Sequence, residues 1–178
     1  EHGEGVGNFW VIDASLTVIF DEARRLTGVH EEWAFDNDFG DSLRLQADAN
    51  RDETLDDAEL RSLADLIART LAPYGFYTQV VAGGERVGLG APDDLAARVE
   101  DYRVRVGFTL PIAEPIAVDA AGIDVYDGEL NFAVSWVSPP LEAVNLPAGC
   151  RLVRRDRIAD DPAARALVSA TGTGAALT

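Results

Sequence analysis

The chain has 178 residues and a formal charge of −16, and all fifteen of its basic residues are arginine. Such a surface is a poor match for nucleic acid, whose phosphates would meet like charge. The lack of lysine excludes Schiff-base chemistry and a lysine general base. No run approaches about eighteen consecutive apolar residues, so no membrane span is expected, and the length suits a single domain burying its own core.

The sequence opens Glu1-His2-Gly3, with no initiator methionine and no apolar leader. That pattern predicts a mature exported protein whose signal peptide has been removed. Residues 9–20 are rich in β-branched and aromatic side chains and predict a strand, with a second over 24–35 and Asp21-Glu22 in the turn between them. The period then changes from two to about four. Phe39, Leu43 and Ala47 recur at helical spacing, as do Leu60, Ala64 and Ala68, with Leu63, Ile67 and Leu71 filling the same stripe. Two amphipathic helices are therefore expected on either side of residues 48–59, the second stopping near Pro73-Tyr74-Gly75. Strand-like runs follow at 76–82, 102–110, 116–118, 123–126 and 131–137, with a Gly83-Gly84 turn after the first. The expected fold is α+β: one antiparallel sheet or sandwich domain over 1–178, with a helix-loop-helix insert at about 37–72 and a frayed tail from about residue 170.

The insert carries the chemistry. Residues 48–59 match the twelve-residue EF-hand template, with side-chain oxygens at its first, third, fifth, ninth and twelfth positions: Asp48, Asn50, Asp52, Asp56 and Glu59. Thr54 holds the seventh position, where the backbone carbonyl coordinates, and Leu55 the apolar eighth. A hard divalent ion takes six to eight oxygens at roughly 2.3–2.6 Å, and ligands on alternate residues of a tight loop aim inward to supply them. Calcium is the expected ion, and a lanthanide of similar radius fits the same set. The sixth position departs from the template: a left-handed turn there asks for glycine, and this chain has Glu53. A side chain in that conformation costs about 1–2 kcal/mol. The single loop, weakened in this way, suggests a dissociation constant of roughly 10⁻⁴–10⁻³ M. A plainer account makes Asp56 and Asp57 helix caps and Asp48–Asp52 a solvated turn. It leaves five ligands in register, Leu55 and both amphipathic flanks unexplained.

Eleven acids and two arginines lie between Glu31 and Glu59. Glu31, Glu32, Asp36, Asp38 and Asp41 are expected to form a solvated acidic face that concentrates cations. Zinc would need a separate site, with His2 and His30 the only imidazoles; the HExxH pattern fails because residue 34 is alanine. Cys150, the single cysteine, has no partner for a disulfide and fits a small buried residue better than a nucleophile. No nucleophile elbow, phosphate loop or dinucleotide fingerprint is present. A binding protein rather than an enzyme is therefore expected. The other classes are a structural module that calcium rigidifies and a metal-dependent hydrolase; the latter is disfavoured because the loop ligands would saturate the ion.

The order of several segments adds a resemblance. They are Trp10-Val11-Ile12-Asp13-Ala14, Trp33-Ala34-Phe35-Asp36 with Phe39, the acidic loop with Glu59-Leu60, and Tyr74-Gly75-Phe76-Tyr77-Thr78. Phe108-Thr109-Leu110-Pro111, Val125-Tyr126-Asp127 and Pro147-Ala148-Gly149-Cys150 complete the set. Across residues 8–152 the chain resembles the bacterial domain-of-unknown-function family 1007, whose members are often described as the periplasmic component of an ABC-type transport system. The resemblance implies export to the periplasm and a place beside a membrane transporter of nickel, cobalt or zinc. It also implies a His-Pro-His-x-Trp start. Here Val6 and Asn8 stand where the histidines would be, and His2 is displaced.

Overall fold

A computed structural model describes residues 10–82, 85–117, 121–125 and 132–152. Alternation builds its first hairpin. Strand β1 (Trp10–Phe20) sends Ile12, Ala14, Leu16, Val18 and Phe20 into the core, and the residues between them stay half-exposed. The chain reverses at Asp21–Arg24, where the Asp21 carboxylate accepts the Arg25 backbone N–H at 2.8 Å, and returns as β2 (Arg25–Phe35). The two strands pair antiparallel from Ile12 opposite Phe35 to Phe20 opposite Leu26, with a bulge beside Phe20. That extra residue explains why Leu26 and Val29, three apart, both face inward.

Helix α1 (Asn37–Ala47) starts where the Asp36 carboxylate caps the Phe39 N–H. It buries Gly40 and Leu43, and Gly40 brings the helix close to Val104. Helix α2 (Asp57–Leu71) buries Glu59, Leu63, Ala64, Ile67 and Leu71 along one stripe. It passes into a 3₁₀ segment over Ala72–Tyr77, then β3 (Thr78–Ala82), β4 (Glu85–Val87), β5 (Ala96–Glu100), β6 (Arg103–Ala117), β7 (Ala121–Val125) and β8 (Phe132–Val144).

The strands form a five-stranded sheet in the order β5-β6-β2-β1-β8 and a three-stranded sheet in the order β4-β3-β7. The α+β class holds. The antiparallel expectation fails at one pairing, because β8 runs parallel to β1 from Phe132 opposite Trp10 to Val144 opposite Ile19. Parallel neighbours need a long connection, and here residues 21–131 lie between the two strands. The runs at 102–110 and 116–118 meet in one strand over Arg103–Ala117, residue 118 lying outside the described residues. Opposite Leu26–Gly28 of β2, strand β6 spends Pro111–Ile116, since prolines at 111 and 115 cannot donate to the ladder and Ile112 bridges to Leu89 instead. Strand β3 begins at Thr78, not residue 76, and β5 has no counterpart among the expected runs.

One face of the large sheet carries the core. Val104, Val106, Phe108, Leu110 and Ile112 of β6 join the β1 and β2 rows beneath Leu43, Leu63, Ile67, Leu71, Phe76 and Val80. Phe108 meets Trp33 edge-on at 5.1 Å and Phe76 at a tilt at 5.4 Å, aromatic pairs being worth about 0.5–1.5 kcal/mol beyond the area they bury. Among the described residues no helix is long and apolar enough to cross a membrane. The expected start around His2, the Gly83-Gly84 turn and the expected tail lie outside the described residues.

Candidate metal centre

The loop between α1 and α2 is organised by its own carboxylates. Asp48, at the end of α1, takes the N–H groups of Arg51 at 2.6 Å and Asp52 at 3.2 Å on Oδ1, and that of Glu53 at 2.9 Å on Oδ2. The Asn50 side-chain oxygen accepts the Asp52 N–H at 2.8 Å, and its amide donates to Asp52 Oδ2 at 3.0 Å. Asp52 Oδ1 takes the Thr54 N–H at 2.9 Å and hydroxyl at 2.7 Å. The Thr54 hydroxyl and then its N–H hold the Asp52 carboxyl below the usual carboxylate range. These are turn-forming bonds of the kind that let Asp and Asn replace a backbone partner.

Two residues of the loop are left-handed, Arg51 at φ +61° and Glu53 at φ +67°. The second is the sixth loop position, where an EF-hand makes its sharp turn. Glutamate therefore takes the conformation the template reserves for glycine. Sequence reasoning gave no reason to expect a left-handed Arg51.

The far side of the loop is closed by α2. Asp56 caps the helix, accepting from Ala58 N at 2.8 Å and Glu59 N at 2.9 Å, and Glu59 Oε2 answers by accepting the Asp56 N–H at 3.0 Å. This reciprocal box satisfies N–H groups that the helix start leaves unpaired. The other Glu59 oxygen reaches back to Ala49 N at 2.9 Å and Asn50 N at 3.3 Å. Glu59 is 7% exposed, and Leu55 packs against the core below the loop.

Of the six predicted positions, Asp48, Asn50, Asp52, Thr54 and Asp56 thus lie between the two helices, and Glu59 lies in the first turn of α2. Among the described residues, no three His, Cys, Asp or Glu side chains converge closely enough to hold an ion as they stand. The reason lies in the bonds above: each carboxylate is turned toward backbone N–H groups, and the Asn50 amide occupies one Asp52 oxygen. The donor set itself is all oxygen, with four carboxylates and an amide carbonyl, and suits a hard cation rather than zinc.

Outside the loop, the expected acidic face loses Glu31 to the core, while Asp38 and Asp41 stay exposed. Glu31 is fully buried in the core, where Trp33 Nε1 donates to its Oε2 at 2.7 Å and the Thr78 hydroxyl stands 2.7 Å from Oε1. Burial pushes its carboxyl up to about 7, although the Thr78 and Trp33 hydrogen bonds draw it back. Period-two alternation through Val29, Glu31, Trp33 and Phe35 carried this signal in the sequence. Glu32, on the opposite face, pairs with Arg98 at 2.7 Å and lies over Gly107, where a Cβ would run into its carboxyl. Asp36 is the α1 cap, and Asp41 pairs with Arg44 at 3.1 Å. His30 shares the Glu32 face, with Nδ1 2.9 Å from the Thr109 hydroxyl and Nε2 3.4 Å from Glu32 Oε1. Thr109 is itself held by Asp94, at 2.6 Å from its N–H to Oδ1. Cys150 is half-buried rather than buried, its N–H bonded to the Pro147 carbonyl at 3.0 Å.

Among curated proteins none matches the chain. A family model does, over residues 9–171, and on that match the chain belongs to the family described as protein of unknown function (DUF1007).

Proposed function

We propose that this chain is an exported calcium-binding protein whose ion sits in the loop at Asp48–Glu59 and ties α1 and α2 to the sheet. One observation carries the reading. The sixth loop residue, Glu53, adopts φ +67° despite its side chain, with its N–H donated to the first-position Asp48. An EF-hand turn requires a left-handed residue at this position, and Glu53 takes that conformation in spite of its cost. Leu55 on the core and Glu59 anchored in the first turn of α2 add support. Coordination would need the Asn50 and Asp52 side chains to turn from each other toward a common centre.

The effect of calcium on this reading is chiefly structural. The Glu59 carboxylate is buried and joins both ends of the loop, so an ion bound there stiffens the helix pair. Service to a membrane metal transporter in the periplasm rests on the family resemblance and belongs to the same proposal. The test is the melting temperature in chelator and in about 10 mM calcium, for the wild type and Glu59→Gln. At a dissociation constant near 1 mM, linkage stabilises the wild type by about 1.4 kcal/mol, or about 3–6 °C for a chain of this size. The variant keeps an acceptor for Ala49 and loses the negative charge offered to the ion. Equal shifts in the two proteins would remove the loop as the site.

A further inference from the structure

The surroundings of Glu31 pose a problem of proton count. The Thr78 hydroxyl stands 2.7 Å from Glu31 Oε1 and 2.9 Å from the Phe76 carbonyl oxygen, and it has one hydrogen to give. With Glu31 ionised, Thr78 serves either the carboxylate or Phe76. With a proton on Oε1, the chain completes itself: Glu31 donates to Thr78, Thr78 donates to Phe76, and Trp33 Nε1 donates to the other Glu31 oxygen at 2.7 Å. Phe76 is no ordinary residue of the backbone. Gly75, Phe76 and Tyr77 lie consecutively in the left-handed region, at φ +59°, +54° and +52°. Two of the three carry side chains that disfavour it. This run is the joint between the 3₁₀ segment after α2 and strand β3.

We propose that the folded protein keeps a proton on Glu31 and that this proton latches the left-handed joint at Gly75–Tyr77, so that losing it loosens the connection of α2 to β3. The proton stays because the site offers no other compensation for charge. The elements packed around Glu31 present Leu16 opposite it on β1, Phe108 opposite it on β6, Phe76 from the 3₁₀ segment and Thr78 from β3. Desolvation acts on the carboxyl, and Thr78 and Trp33 are the groups that offset it; no charged residue contributes among those described. The neighbours in sequence, His30 and Glu32, bond on the opposite face of the sheet, and the joint's own ionisable residues, Tyr74 and Tyr77, stack on each other at 5.4 Å. The latch is independent of the calcium reading, because no loop residue takes part in it.

Amide exchange and proton resonances across about pH 6 to about pH 8 test the latch. In the wild type the Trp33 indole N–H resonance should titrate. The Gly75–Thr78 amides should lose about tenfold in protection beyond the intrinsic base-catalysed change. Glu31→Gln, whose amide reproduces the neutral donor and acceptor pattern, should remove both effects. Titration of Trp33 with no change in protection at the joint would overturn the proposal, as would no titration at all. Should Glu31→Gln fail to fold, Thr78→Val supplies the second test. It should leave Trp33 titrating and the joint unprotected at both pH values, and a protected joint would again overturn the latch.

Discussion

The Glu59 carboxylate bonds to the backbone N–H of Ala49, ten residues earlier, at 2.9 Å. Its second oxygen bonds to Asp56 N at 3.0 Å, so one buried side chain fastens both ends of the loop. Glu59 therefore holds the helix pair together by hydrogen bonding as well as by any charge it offers an ion. Removing it leaves three N–H groups without this partner, at Ala49, Asn50 and Asp56. Glu59→Ala should lower stability by about 1–3 kcal/mol in chelator alone. Urea unfolding measures it, and a loss seen only in calcium would mean that the carboxylate acts on the ion and not on the backbone.

Glu53 gives an opposite expectation. Its φ of +67° carries a penalty that glycine does not share. Glu53→Gly should stabilise the protein by about 1 kcal/mol, a rise of about 2–4 °C, in chelator and in calcium alike. Calcium should also bind more tightly, because the loop loses a source of strain at the turn the ion requires. Calorimetry and thermal melts together decide: lower stability in both conditions would mean that the Glu53 side chain contributes more than its backbone costs.

The helix pair on either side of residues 48–56 was legible because its apolar stripes need only helical spacing. The β1–β2 hairpin was legible for the same reason, by period two. What escaped is what tertiary context decides. Strand β8 lies parallel to β1 because of how the chain closes, and nothing in residues 132–144 announces its neighbour. Strand β5, Ala96–Glu100, is mostly exposed on the sheet edge, and its alternation, Ala97-Arg98-Val99-Glu100, is too short to announce a strand. Glu31 fell between the two cases. Its place in the alternation pointed inward, its charge pointed outward, and the hydrogen bonds from Trp33 and Thr78 that reconcile them come from folding.

The raised Glu31 carboxyl makes a signed prediction for stability against pH. Below about 4.5 the group is protonated folded or unfolded. Between there and about 7 the unfolded chain has released the proton and the folded one holds it, so stability falls as pH rises. Above that both forms are ionised and the contribution is flat. The full loss is about 3 kcal/mol. Asp21, held down by the Arg25 backbone N–H, and Asp52, held down by Thr54, act in the other direction, and so does Asp94, held down by Thr109 against the effect of burial. Their contribution is present above about 3.8 and lost as pH falls through their lowered values. Urea midpoints at about pH 5 and about pH 8 should therefore fall for the wild type and hold for Glu31→Gln. An equal fall in both proteins would place the cost on some other group.

Ion choice follows from the donor set. Asp48, Asp52, Asp56 and Glu59 offer four carboxylates, with the Asn50 side-chain oxygen and the Thr54 carbonyl beside them. Four negative charges overcompensate a divalent cation, so a trivalent lanthanide of similar radius should gain more from the loop than calcium does. Magnesium should bind poorly, because it demands a small octahedral shell and gives up water reluctantly. Zinc prefers nitrogen and sulfur, which the loop lacks, so any zinc binding should be indifferent to Asp52→Ala. That substitution removes the carboxylate that holds both the Thr54 hydroxyl and the Asn50 amide. It should therefore weaken terbium and calcium together while leaving their order unchanged. Competition titrations against terbium luminescence, excited through the protein's tryptophans, read all of these affinities in one format. The expected order is lanthanide, calcium, then magnesium. Zinc displacing terbium more effectively than calcium does would mean that the loop is not an oxygen cage.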